Sequence, residues 1–141
     1  MAMRIKLKRI DADFNFEAVN LDGNTISIDA APAIGGHNKG MRPMQLLLAA
    51  IGGCSAMDII SILRKQKQEI DSFEIEVHGK REETGTKGYS LFQTIEVHYI
   101  LKGKVKKDKV ERAVKLSMEK YCSVTKILEP TAKITYNVSV N

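Results

Sequence analysis

The chain has 141 residues, 43% of them hydrophobic and 28% charged, a composition that fits one globular domain and excludes a disordered or collagen-like chain. With 22 Lys and Arg against 17 Asp and Glu, the net charge of +5 permits nucleic-acid binding without demanding it. The longest charge-free run, Pro43 to Met57, is shorter than the roughly 20 residues that cross a bilayer, and charged and apolar residues alternate at the N-terminus. These features predict a soluble, cytoplasmic protein with a single domain over residues 1–141.

The first third reads as strands. Ile5 and Leu7 alternate with lysines, and Phe14, Phe16 and Ala18 alternate with polar residues. Asp22-Gly23 offers a hairpin turn, after which Ile26 and Ile28 continue the period of two. The Gly-rich stretch from Pro32 to Gly40 reads as a loop. From Pro43 to about Lys67 the pattern predicts a long helix, with the proline at its first position. Its first half is apolar around the whole circumference, and such a helix must be covered all round. The rest of so short a chain cannot supply that cover, so a second subunit is expected to. Gly52-Gly53 inside the helix implies either a close approach by another element or a kink.

Two further strands follow, marked by Phe73, Ile75 and Val77 and then by Ile95, Val97, Tyr99 and Leu101, with a polar loop from Arg81 to Ser90 between them. Asp108 and Glu111 look like the acidic analogue of a capping box for a second helix. The apolar stripe of that helix is Val110, Ala113, Val114, Ser117, Met118 and Tyr121, ending near Cys122. Ile134 to Val140 forms a last strand. The order βββαββαβ is an α+β arrangement with helices packed on a mainly antiparallel sheet.

Cys54 and Cys122 are the two cysteines, each assigned to a helix. Two are too few for a Cys-rich zinc site, and a chain that builds its own core needs no structural disulfide. Two indifferent buried thiols are one reading. A dithiol pair is the other, and it suits peroxide chemistry: one thiolate becomes a sulfenic acid, and the second condenses with it to a disulfide that an external thiol reduces.

The segments RPMQLLLAAIGGCSAMDII, Arg42 to Ile60, and ERAVKLSMEKYCSV, Glu111 to Val124, resemble the OsmC/Ohr proteins, named for osmotic induction and organic hydroperoxide resistance. The shared pattern is a proline opening a long apolar helix, a Cys eleven residues later, and a second Cys near the end of the later helix; length and element order match as well. The resemblance implies an intertwined homodimer with the long helices at its centre and active sites at the subunit interface. It also implies reduction of organic hydroperoxides, with Cys54 as nucleophile, Cys122 as resolving thiol, an external thiol reductant and no cofactor. The characterised peroxidase branches carry a Glu after the helix-starting proline, which orients an Arg beside the thiolate. Here that position is Met44, no Gly-containing turn accompanies Arg4 or Arg9, and Ser123 stands where a proline is frequent. The chain thus looks like an OsmC-like branch with a Pro-Met start.

Arg42, beside the helix start, is a candidate to stabilise a thiolate, although it also reads as a solvated flanking residue. Asp58 shares a helical face with Cys54. A carboxylate there disfavours a thiolate unless it first binds an Arg, so it reads as a pairing residue, across a dimer for instance. His37 reads as a loop residue, and His78 and His98 fall on the polar faces of strands without the partners of a metal site. The lysines between Lys102 and Lys109 lack interleaved aromatics and read as a solvated face rather than a nucleic-acid surface. Asn137-Val138-Ser139 is a chance glycosylation match in a chain read as cytoplasmic. Three functions follow: a thiol-dependent reductase of organic hydroperoxides; a non-catalytic dimer holding a small apolar ligand at its interface, a reading that Met44 favours; and, on modest basicity alone and weakest of the three, a nucleic-acid-binding module. No membrane or metal partner is expected.

Overall fold

A computed structural model describes residues 2–82 and 88–141. The chain forms two compact units, Met1–Leu47 and Leu48–Asn141, with the boundary inside the long helix.

The first unit is a three-stranded antiparallel sheet, β1 (Ile5–Arg9), β2 (Phe16–Asn20) and β3 (Thr25–Ile28), in that order. Asn20 builds the β2–β3 turn by accepting the Asp22 and Asn24 amides on its Oδ1, and Gly23 supplies the left-handed residue at φ 87°. The β1–β2 turn is organised by Asp11, whose Oδ1 accepts the Asp13 and Asn15 amides. Phe14 belongs to this turn rather than to β2, because the Asx-type bonds of Asp11 hold the chain out of the ladder until Phe16. The loop after β3, expected from its glycines, is ordered around Asp29, which is buried and accepts amide hydrogens from Ala30, His37 and Lys39. Burial alone pushes this carboxyl up, but the three amides outweigh it and hold Asp29 below the usual carboxylate range. Apolar side chains of the sheet stay uncovered within the chain: Ile5 is 59% exposed and Ile26 50%.

Helix α1 runs from Pro43 to Lys65. It ends in a Schellman motif: Lys67 takes the left-handed conformation, its amide meets the Arg64 carbonyl, and the Gln68 amide meets that of Leu63. The second unit holds β4 (Glu69–Arg81), β5 (Phe92–Lys104), α2 (Lys107–Leu116), α3 (Ser123–Leu128) and β6 (Lys133–Val140). Part of the loop expected from Arg81 to Ser90 lies outside the described residues, and Arg81 itself closes β4. β4 and β5 pair antiparallel, while β5 and β6 pair parallel. The parallel pair departs from an all-antiparallel sheet because the helical crossover between β5 and β6 returns the chain in the same direction. At the β4–β5 end Gly103 sits at φ 135°, opposite a register shift at Ile70/Ser72, where a Cβ would meet the Glu69 carbonyl oxygen at 2.5 Å.

The core of this unit joins Ile95, Val97, Tyr99 and Leu101 of β5 to Val110 and Val114 of α2 and to one stripe of α1, Ile51, Ser55, Ile59 and Leu63, spaced four apart. Gly52 explains half of the glycine pair, since a Cβ there would lie 3.3 Å from Val77 Cγ2 of β4, whereas nothing lies within 4 Å of the same position at Gly53. The most apolar 18-residue window of α1 has a mean hydropathy of 2.1, and only 28% of it is buried. By length and composition α1 could therefore also cross a membrane.

Two details of α2 differ from expectation. No side chain caps it: the N-cap is Lys106, whose side chain offers no acceptor, so Asp108 favours the first turn by charge alone and no capping box forms. The helix then loosens into a π-turn over Ser117–Tyr121, closed by the Cys122 amide on the Ser117 carbonyl at 2.7 Å. The extra residue per turn rotates Tyr121 off the buried stripe, and it is 50% exposed.

Candidate functional site

Both cysteines lie in the second unit. Cys54 sits on α1, directly before the buried Ser55, and is partly accessible. Cys122 is buried where the π-turn of α2 gives way to α3. It is the N-cap of α3, and its sulfur accepts the Thr125 amide at 3.4 Å. Burial raises the Cys122 thiol above its ordinary range; Thr125 works against this, and the adjacent Cys54 thiol adds to it. The two thiols are neighbours but not bonded, and both cysteines are free.

A set of buried polar groups surrounds them. The Tyr99 hydroxyl, brought in by β5, donates to Ser55 Oγ at 2.7 Å and lies 3.3 Å from Met118 Sδ. Burial pushes Tyr99 up to about 12. Met118 Sδ also receives the Thr125 hydroxyl at 3.5 Å. Ser55 donates back to the Ile51 carbonyl at 2.8 Å, a bond that satisfies a hydroxyl inside a helix. Asp58, expected to pair with an Arg or across a dimer, takes its partner within the chain: Ser117 Oγ donates to Asp58 Oδ2 at 2.8 Å. Among the described residues no Lys or Arg forms an ion pair or hydrogen bond with Asp58, Cys54 or Cys122.

Sequence reasoning found the two cysteines and Asp58 and missed Ser55, Tyr99, Ser117 and Thr125 as a network. The available signal was Ser117, a polar residue inside the otherwise apolar stripe of α2; a buried hydroxyl needs a partner, and here it has one. Arg42 belongs to the first unit, where its guanidinium donates to Asn38 Oδ1 at 2.7 Å and to the Gly40 carbonyl at 3.1 Å. Arg9 is likewise occupied, holding the Ala12 and Asp13 carbonyls of the first turn.

His37 is not merely a loop residue. Its Nε2 meets Asp13 Oδ2 at 2.7 Å, a bond that raises its basicity, and with Asp11 the three side chains place donor atoms within 4.8 Å of one another. Asp13 and His37 are exposed and Asp11 is partly so, and the bonds they make are to one another and to the turn. His98 bonds Ser139 Oγ across the β5–β6 pair, and His78 lies 3.5 Å from Glu76 at the surface.

Comparison with known proteins places this architecture. The model of the OsmC-like protein family matches residues 36–137. Protein YhfA of Escherichia coli (strain K12) is 41% identical over 121 residues, which covers 85% of this chain and 80% of that protein. The structure of a hypothetical protein from Aquifex aeolicus VF5 superposes with a TM-score of 0.80 at 34% identity, covering 100% of this chain and 98% of that one. An organic hydroperoxide resistance protein OsmC from Legionella pneumophila shares the fold at a TM-score of 0.71 and 18% identity, covering 99% of this chain and 97% of that one. On the family match, which covers residues 36–137, the chain belongs to the OsmC-like family.

Proposed function

We propose that the protein reduces organic hydroperoxides, with Cys54 as nucleophile and Cys122 as resolving thiol. The observation that carries the reading is the pairing of an accessible and a buried thiol as neighbours on rigid elements. Cys54 sulfur attacks the terminal peroxide oxygen, giving an alcohol and a sulfenic acid; Cys122 displaces water from that sulfenic acid to form a disulfide, and an external thiol reduces it. The chemistry needs no metal or cofactor. The hydroperoxide resistance protein of the same fold supports the choice of oxidant. We further take the protein to be a cytoplasmic homodimer, with the uncovered face of α1 between its subunits.

A second reading, a non-catalytic dimer that holds a small apolar ligand, is favoured by Met44 and by the absence of a cation bonded to either thiol among the described residues. Titrating the reduced protein with cumene hydroperoxide and counting thiols separates the two. The peroxidase reading expects both thiols to be lost at one equivalent of oxidant and Cys54→Ser to abolish the reaction. A wild-type protein that keeps its thiols under the same titration supports the ligand-binding reading instead.

A further inference from the structure

Asp58 follows Cys54 by four residues on α1, which sets the two side chains on one face with Cβ atoms about 5–6 Å apart. Ser117 Oγ donates to its Oδ2 at 2.8 Å and lies 3.5 Å from the Ser55 carbonyl oxygen, so the carboxylate is held against the turn of α1 that carries the thiol. Among the described residues, the titratable groups coupled to this cluster are Tyr99 from β5, Tyr136 from β6 and Cys122 from the end of the π-turn, and none is a cation. A half-buried carboxylate bonded to no cation among the described residues offers no charge to hold a standing thiolate. What it can do is accept a proton at the moment of attack and return it.

We propose that Asp58 carries the proton of the Cys54 reaction, a role that rests on the peroxidase reading above. As the sulfur attacks the terminal peroxide oxygen, the thiol proton passes to the Asp58 carboxylate. The S–O bond forms, the O–O bond breaks, and the departing alkoxide takes the proton from Asp58. Cys54 is oxidised to the sulfenic acid, the hydroperoxide is reduced to the alcohol, and Asp58 ends ionised as it began. This gives the site a way to deprotonate its nucleophile without a cation held beside it. Cys122 is left to resolve the product.

The test compares two reagents at Cys54, in wild type and in Asp58→Asn, across about pH 5 to 9. Cumene hydroperoxide has a leaving alkoxide that needs a proton; iodoacetamide has a leaving iodide that does not. Peptide mass spectrometry follows Cys54 in both. The expected result is a hydroperoxide reaction slowed at least about tenfold at neutral pH, with alkylation slowed less, because iodide leaves without the proton that Asp58 returns to the alkoxide. Equal slowing with both reagents shows that no proton reaches the alkoxide from Asp58 and overturns the proposal, as does an unchanged hydroperoxide rate. A wild type inert to hydroperoxide overturns the peroxidase reading itself, and the proton role falls with it. If Asp58→Asn does not fold, Ser117→Ala keeps the carboxylate and removes its donor. The hydroperoxide reaction then slows more than alkylation does, and a ratio of the two rates equal to the wild type's overturns the proposal.

Discussion

The Tyr99 hydroxyl donates to Ser55 Oγ at 2.7 Å, and Ser55 Oγ donates in turn to the Ile51 carbonyl at 2.8 Å. This order of donation makes Tyr99 a fixed donor in the core beside the thiols, not a proton acceptor. Its value near 12, against about 10 for a free tyrosine, carries a sign. The unfolded chain loses this proton first, so the stability linked to Tyr99 is full below about pH 10 and is lost as pH rises toward the folded value. Tyr99→Phe is expected to destabilise the fold by about 1–2 kcal/mol at neutral pH and to flatten the alkaline loss. Urea unfolding at neutral and alkaline pH measures both.

Cys122 is buried and raised, with Cys54 among the causes. Alkylation at neutral pH should therefore modify Cys54 first, and removing the neighbour by Cys54→Ser should make Cys122 react at lower pH than in the wild type. Mass spectrometry of partly alkylated protein reads the order; equal labelling of both cysteines at early times would contradict it.

Exposure to hydroperoxide should link Cys54 and Cys122 within one chain. The sulfurs are neighbours but not at bonding distance, so bridging needs a movement that brings them together. An intramolecular cross-link by peptide mapping is the expected product. Two separately over-oxidised thiols would remove Cys122 from the resolving role.

Most of the architecture was legible because it is written in periods. The alternation of Ile95, Val97, Tyr99 and Leu101 gave β5, and the stripe from Val110 to Met118 gave α2. What stayed hidden is set by tertiary contacts or is too short to show a period. α3 has six residues, and the π-turn before it is a single loosened turn that changes no composition. The parallel pairing of β6 depends on where the chain returns, not on which residues it contains. In the site, each cysteine stood out by type and context. Tyr99 did not, because an aromatic at an inward strand position reads as core, and only its hydroxyl partner reveals the second role.

Helix α1 is covered on one side only. Within one chain its packed stripe is Ile51, Ser55, Ile59 and Leu63, while Met57 on another face is 69% exposed and the space above Gly53 is open. A mid-helix glycine costs about 1 kcal/mol relative to Ala, and among the described residues nothing comes within 4 Å of a Cβ at Gly53 to offset it. An apolar helix left this bare needs a partner surface, and a second copy brings the same helix with the same gap. Sedimentation equilibrium at micromolar concentration should give twice the 15.7 kDa of the chain. Met57→Lys should weaken the association and lower the melting temperature in a concentration-dependent way, because stability and assembly are linked. Gly53→Leu, which closes the gap without adding charge, should do the same if the helices approach there. A wild-type chain that sediments as a stable, well-folded monomer would show that α1 needs no second copy.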